Sequence, residues 1–322
     1  MNPEPAAPIN HRQIALDHFG IEGTASPLPG YEDSNALIST PNGERYVLKV
    51  SPPDPDLERI RFGVEAMKVV QAASFEAPFP LLSASGTPIA SLPNSRYARL
   101  LTWVAGATAE SAGRPSAAAR SIGRTAGEMV SVLMPLKQRV PHDDATWDPG
   151  HVPTIITRYH HNVDDNDQHS LVERVLTALD AVPFDRLPEQ TIHSDLNAGN
   201  VILTDGSVTG VIDFEDVVST IRIGELSAAC AYAMLTQDDP MAVAMDVIAG
   251  YRELMPITSL EAEHLYLLTL SRMAVSVCIA ASQPPGNPHQ HRTSELNWAL
   301  LTRLLSGDSD ELGTRFRAAA LS

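Results

Sequence analysis

The residues best suited to chemistry are Asp195, Asn200 and Asp213, all inside the stretch TIHSDLNAGNVILTDGSVTGVIDFED at positions 191–216. Residues 201–203 and 208–212 are apolar and β-rich, and Thr204-Asp205-Gly206-Ser207 between them is a turn sequence, so the stretch predicts a short β-hairpin. With Gly206-Ser207 as the two-residue loop, Asn200 lies opposite Asp213. With Asp205-Gly206 as the loop the register moves by two residues, and both polar groups still share one end of the ladder. Asp195 precedes the hairpin on a tight loop. Two carboxylates and an amide at the mouth of buried strands make the oxygen-rich set that magnesium and a phosphate chain require.

Phosphoryl transfer asks for such a metal site, a cation on the non-transferred phosphates and a base near the acceptor hydroxyl. Asp195 is the candidate base, and Asn200 and Asp213 are the candidate metal ligands. The cation is Lys49 in YVLKV, a predicted strand whose alternation puts Val47 and Lys49 on one face and Leu48 and Val50 on the other. A helix is predicted over 56–73, with Leu57, Ile60, Val64 and Met67 at spacings of three and four. Glu65 lies one step off that stripe, placed to pair with Lys49. The ordinary alternatives are a solvent-facing edge lysine and a surface glutamate.

The elements that must hold these groups follow from the chain in order. A short helix is predicted over 11–19, strands over 35–39 and 46–50 around Pro41-Asn42-Gly43, and strands near 80–83 and 95–101. From Ser111 onward the pattern is helical apart from the hairpin, with helices near 116–134, 170–181, 225–237, 240–254, 258–281, 293–305 and 309–320. This is an α+β chain of two lobes. The expected division is a flexible N-terminus (1–9), a β-rich N-lobe (10–105) and a helical C-lobe (106–322).

Bulk properties narrow the function. The 322 residues carry 23 basic and 39 acidic side chains, a net charge of −16. That argues against a nucleic-acid binder, which needs a basic face, and it is compatible with a cationic substrate. Cys230 and Cys278 sit in apolar helical patterns as small buried hydrophobes, with no disulfide framework or CxxC site. No basic and apolar leader and no run of ~18 apolar residues is seen, so a cytoplasmic protein without membrane contact is expected. Nothing in the pattern speaks to oligomeric state.

His193-Ser194-Asp195-Leu196-Asn197-Ala198-Gly199-Asn200, followed by Ile212-Asp213-Phe214, resembles the catalytic and metal motifs of the aminoglycoside phosphotransferase/choline kinase superfamily. The likeness extends to VLK with Lys49, to Glu65 and to LLTWVAG as an inter-lobe hinge. Within the superfamily the chain looks closest to the hydroxylysine kinases, through LPGYEDSN, VIDFEDVVSTIRIGELSAACAYAML and SRMAVSVCIAAS, over most of residues 25–305. The resemblance implies a protein-kinase-like fold, Mg²⁺, and ATP or GTP as donor. It implies that Lys49 with Glu65 holds the phosphates and that the 31–35 turn, with Ser34 and Asn35, covers them. Hinge groups near Leu101 and Trp103 would hold the base, with Trp103 either packed in the core or beside it. His193 would brace the loop.

The implied acceptor is a small amine-containing alcohol, an amino alcohol or hydroxy-amino acid, hydroxylysine-like first. Aminoglycosides, homoserine and choline or ethanolamine are the alternatives. A catalytically silent kinase-like binding module is the reading from another class. A metallohydrolase would need a second His/Asp cluster, which the sequence lacks. No GxGxxG loop, GxxxxGK[ST] loop or APE-like segment is present, which argues against a protein kinase. Three positions depart from the family pattern: Ser194 and Glu215, where glycine is common, and Glu225, where aspartate is common.

Overall fold

The structure, a computed structural model, describes residues 9–30, 32–137, 146–283 and 288–322. The chain divides into two compact units, one of Met1–Gln71 with Ala77–Ala105 and one of Ala72–Glu76 with Gly106–Ser322.

In the smaller unit, α1 (His11–Phe19) is capped at its start by the Asn10 side chain and stopped by Gly20 in the left-handed region (φ 68°). The strands are β1 (Thr24–Leu28), β2 (Ser34–Ser39), β3 (Arg45–Val50), β4 (Ala90–Leu92) and β5 (Arg96–Thr102), and α2 (Leu57–Val69) follows β3. They form one antiparallel sheet in the order β1-β2-β3-β5-β4. Ala36, Ile38, Leu48, Val50, Ala98 and Leu100 are buried with Ala15 of α1 in one core. The period of two then sends Asn35, Lys49 and Arg99, aligned across β2, β3 and β5, to the opposite face.

Two strand expectations change. Residues 80–83 run beside β5, with Leu81 N–H bonded to the Leu100 carbonyl, but Pro78 and Pro80 lack the donors a regular strand needs. The unexpected β1 reads TASPL, and its Pro27 is tolerated because β1 is an edge strand.

The larger unit contains β6 (Ala107–Thr108), α3 (Ala119–Leu133), α4 (Val152–Tyr159), α5 (Asn166–Leu179), β7 (Glu189–Ile192), β8 (Val201–Thr204), β9 (Ser207–Val211) and β10 (Val218–Ile221). After these come α6 (Ile223–Ala233), α7 (Pro240–Arg252), α8 (Ser259–Ser282), α9 (Pro288–Ser306) and α10 (Ser309–Leu321). α4 opens on Val-Pro and α5 starts at Asn166, capped by Asp165; both extend the helical content expected for this region. α9 begins at Pro288, earlier than the helix expected near 293–305, and residues 284–287 lie outside the described residues.

α8 carries a capping box, in which Thr258 and Glu261 satisfy each other's backbone donors. It is long and apolar enough to cross a membrane, yet 72% of its most apolar window is buried within the protein, as in a core helix. It packs on α4, α5, α6, α9 and α10. The expected hairpin is β8–β9. Asp205 and Gly206 form its two-residue loop, both at positive φ (50° and 79°).

Candidate active site

The loop between β7 and β8 carries the HSDLNAGN motif of residues 193–200. Its first residue, His193, is fully buried, with its ring 4.7 Å from that of Phe214 in an edge-on arrangement. Burial pulls the His193 pKa down, and the Asp195 and Asp213 charges and the Ile212 and Asp213 backbone offset only part of that. The ring therefore serves as a neutral brace, and its Nδ1 accepts the Asp195 N–H at 3.3 Å.

Ser194 follows at φ 69°, a conformation glycine takes freely and serine does not. Two bonds hold it there: its N–H donates to Glu225 Oε2 (2.9 Å) and its Oγ to the Trp147 carbonyl (3.2 Å). Glu225, in the first turn of α6, is fully buried, and burial pushes its carboxyl up to about 7. The backbone bonds from Ser194 and His193 oppose that rise, the Asp195 charge adds to it, and Arg272 reduces it.

This turn presents Asp195, whose side chain is 18% exposed. Oδ2 accepts from Asn197 Nδ2 (2.8 Å) and Asn200 Nδ2 (2.7 Å), and Oδ1 accepts from Arg272 Nη2 (2.8 Å). An ionised carboxylate has about four lone-pair sites, so three donors leave about one for an incoming hydroxyl. Asn197 Oδ1 takes the Gly199 N–H (2.7 Å), which closes the turn that delivers Asn200.

The ladder then settles where Asp213 stands. Thr204 pairs with Ser207, but a bulge between Ile202 and Leu203 shifts the far end, so that Val201 faces Val211. Ile212 N–H bonds to the Asn200 carbonyl at 2.9 Å. Asn200 thus lies opposite Ile212, a register between the two that the turn alone allows. The bulge is secured from outside the hairpin, because Glu76 N–H bonds to the Thr209 carbonyl (2.8 Å) and Val211 N–H to the Glu76 carbonyl (2.9 Å). Asp195, Asn200 and Asp213 share one end of the hairpin, and Asp213 has positive φ (67°).

The donor set fits a hard cation. Asn200 turns its nitrogen to Asp195, which leaves Oδ1 as its remaining metal-donor atom, and Asp213 follows Ile212, the residue opposite Asn200 in the ladder. Among the described residues no group of three or more His, Cys, Asp or Glu side chains gathers that could hold a metal ion by itself. One amide and one carboxylate suit Mg²⁺, which fills its other positions with phosphate oxygens and water.

In the smaller unit, Lys49 is buried in β3 between Asn35 and Arg99 on the face away from α1. Arg99 forms a buried ion pair with Asp33. Asn35 Nδ2 donates to the Pro29 carbonyl (3.0 Å), and its Oδ1 is buried without a hydrogen bond among the described residues. Ser34 stands one residue out of phase. Its Oγ meets His11 Nε2 at 3.0 Å, so its side chain serves α1 rather than the Lys49 face.

Glu65 is exposed on α2, lining a cavity with Arg61, Lys68 and Tyr97, whereas Lys49 is buried. Leu101 is buried in β5. Trp103 is half-buried, its backbone N–H bonded to the Arg45 carbonyl (3.2 Å) and its ring covered by the Arg45 guanidinium at 4.9 Å. Tyr31 lies outside the described residues.

Sequence reasoning missed Arg272 and Trp147. Arg272 had a signal: it is the only charged residue from 265 to 282, in the middle of an apolar helix. Trp147 had none.

The chain matches the model of the phosphotransferase enzyme family over residues 24–262. It is 25% identical to the hydroxylysine kinase of Danio rerio, over 97% of this chain and 96% of that one. With the hydroxylysine kinase of Bos taurus it shares 24% identity, over 89% of this chain and 86% of the other. Among solved structures, it is similar to an amicoumacin kinase complexed with AMP-PNP, Ca²⁺ and its ligand (TM-score 0.68, 13% identity, 90% and 92% of the two chains). It is also similar to a microcompartment-associated aminopropanol kinase (TM-score 0.67, 17% identity, 94% and 98%). Likeness at such identities is likeness of fold, and the fold is the α+β, protein-kinase-like one.

Proposed function

The chain belongs to the phosphotransferase enzyme family, and from that premise we propose that it is a magnesium-dependent small-molecule kinase acting on a hydroxy-amino acid or amino alcohol, hydroxylysine-like first. The donor is ATP or GTP. The observation that carries the reading is the Asp195 carboxylate: three donors fix it, about one lone-pair site remains, and a metal-competent amide touches it.

In this scheme Asp195 takes a hydrogen bond from the acceptor hydroxyl, orients its oxygen for in-line attack on the γ-phosphorus and accepts its proton, while the bond from that phosphorus to the β–γ bridging oxygen breaks and the nucleoside diphosphate leaves. Asn200 and Asp213 would hold Mg²⁺, which supplies charge neutralisation on the phosphates when bound. Lys49 would bind the non-transferred phosphates. Asn35 Oδ1, an acceptor, suits a donor group or water rather than a phosphate oxygen. The hydroxylysine-like acceptor is favoured over the alternatives by the two hydroxylysine kinases matched over nearly the whole chain.

The test is a nucleotide-consumption screen with ATP and GTP separately, across hydroxylysine, homoserine, ethanolamine, choline and several aminoglycosides. The expected result is turnover with hydroxylysine or a close homologue and magnesium dependence. Preference for an aminoglycoside or choline would overturn the acceptor class. Tight Mg-nucleotide binding with no turnover on any alcohol would overturn the kinase and favour a silent binding module.

A further inference from the structure

We infer that Arg272 is a positioning residue that references the Asp195 carboxylate to the helical core; the inference rests on Asp195 working on the acceptor. Burying a guanidinium is costly unless it is paired and hydrogen-bonded, so a lone arginine inside an apolar helix needs a compensating partner. Arg272 is 8% exposed and finds that partner in Asp195, with Nη2 2.8 Å from Oδ1. Nη1 donates to the Trp147 carbonyl at 3.3 Å. The guanidinium carbon lies 4.6 Å from the Trp147 ring centre and 5.3 Å from that of Tyr232. Two rings and two acceptors hold the fork, with its position set by α8, the core helix of the unit.

The other two donors to Asp195, Asn197 and Asn200, belong to the same loop as Asp195 and move with it. They fix the carboxylate relative to the loop. Arg272 alone among its observed donors comes from another element, 77 positions away, and fixes it relative to the bundle. The Trp147 carbonyl takes both Arg272 Nη1 and Ser194 Oγ, so the same anchor holds the turn and the arginine. With Oδ1 tied to α8, the remaining lone-pair site of Asp195 has one direction.

The experiment compares the wild type with R272M, R272K, D195N and the double variant R272M/D195N, using the best acceptor from the screen. R272M is expected to lower kcat by about 100-fold, the scale of a misplaced reacting group, with acceptor KM and Mg-nucleotide affinity changed by no more than about 3-fold. R272K restores the charge without the planar fork and is expected to recover about 10-fold of that loss. On the D195N background R272M should cost nothing further, because its target is gone. Wild-type kcat in R272M, or the same fold-loss with and without Asp195, overturns the role. If R272M does not fold, R272K decides: reduced kcat with normal nucleotide binding supports the role, and unchanged kcat overturns it. Urea unfolding of the wild type, R272M, D195N and the double variant gives a readout that needs no substrate. The double variant should be less destabilised than the two single losses added, and strict additivity overturns the pairing. A wild type that turns over no acceptor overturns the kinase reading, and the positioning role with it. A wild type that turns over beside an unimpaired R272M overturns the positioning role alone.

Discussion

At Ser194 the backbone stands at φ 69°, and the residue is there because its N–H and Oγ have buried acceptors in Glu225 and Trp147. Glycine in its place is expected to cost less than about 1 kcal/mol, since the relief of strain offsets one lost hydrogen bond. Valine, branched at Cβ, should cost about 2 kcal/mol or more and displace Asp195. Urea midpoints and turnover of Ser194→Gly and Ser194→Val check this, and a valine variant as stable as the glycine variant would refute it. Asp195→Asn should leave nucleotide binding nearly intact and lower turnover by about 10³-fold, because the hydroxyl loses its proton acceptor. Unchanged turnover would mean that Asp195 is not the base. Glu225 adds a pH signature. Its carboxyl sits near 7 in the folded protein against an ordinary 4.5, facing neutral His193, Asp195, Arg272 and Tyr251. Between those values the unfolded chain releases a proton that the native state keeps, so stability falls as pH rises through that window and levels off above it. Glu225→Gln keeps an oxygen for the Ser194 N–H and should remove that part of the slope. Denaturant midpoints measured across the window decide it, and an identical slope in the variant would exclude Glu225 as the source.

The hairpin shows how far elements can be read from local sequence. Its strands, its turn and the gathering of Asn200 and Asp213 at one end follow from apolar runs around Asp205-Gly206. The bulge does not, because Glu76, more than a hundred positions earlier, holds it through the Thr209 carbonyl and the Val211 N–H. Lys49 could be placed on its face by alternation alone, and so could Ser34 on the opposite one. The His11 contact to Ser34, 23 positions away, could not be read. The same divide separates Asp195 from Arg272: the motif is local, and the ion pair spans 77 positions with no shared pattern. Helix packing is legible only as glycines in α3 and α7. A Cβ built on Gly123 would lie 1.8 Å from the Val247 carbonyl oxygen, and one on Gly250 2.0 Å from that of Arg120, so backbone meets backbone at this crossing. α3 also bears Ser121, whose Oγ accepts the Val208 N–H of β9 at 2.9 Å, which connects the crossing to the hairpin. Gly123→Val should therefore destabilise the protein by about 3 kcal/mol, at the upper end of overpacking, and lower turnover as well. Thermal melts with activity at matched folded fraction test the two effects, and a variant within about 0.5 kcal/mol of wild type would show that the crossing yields.

For the whole molecule, charge sets what a ligand must bring with it. The net charge of −16 makes a free triphosphate an unfavourable partner until cations neutralise it. On the proposed reading the nucleotide binds well only with magnesium, and whatever binds the native state raises its stability by RT ln(1 + [L]/Kd). At ligand 100-fold above Kd that amounts to about 2.7 kcal/mol, enough to move a melt measurably. ATP or GTP with magnesium should therefore raise the melting temperature of the wild type, and a chelator should return it to the value with nucleotide alone. Asp213→Ala removes the carboxylate ligand and should abolish the magnesium-dependent increment while leaving the part due to nucleotide alone. Ser34→Ala, whose hydroxyl faces His11 rather than Lys49, should leave both parts in place, since its loss touches α1 and not the phosphate face. The pair of variants makes the measurement specific. A magnesium increment that survives in Asp213→Ala would move the metal to other ligands, and one lost in Ser34→Ala would return that hydroxyl to the nucleotide.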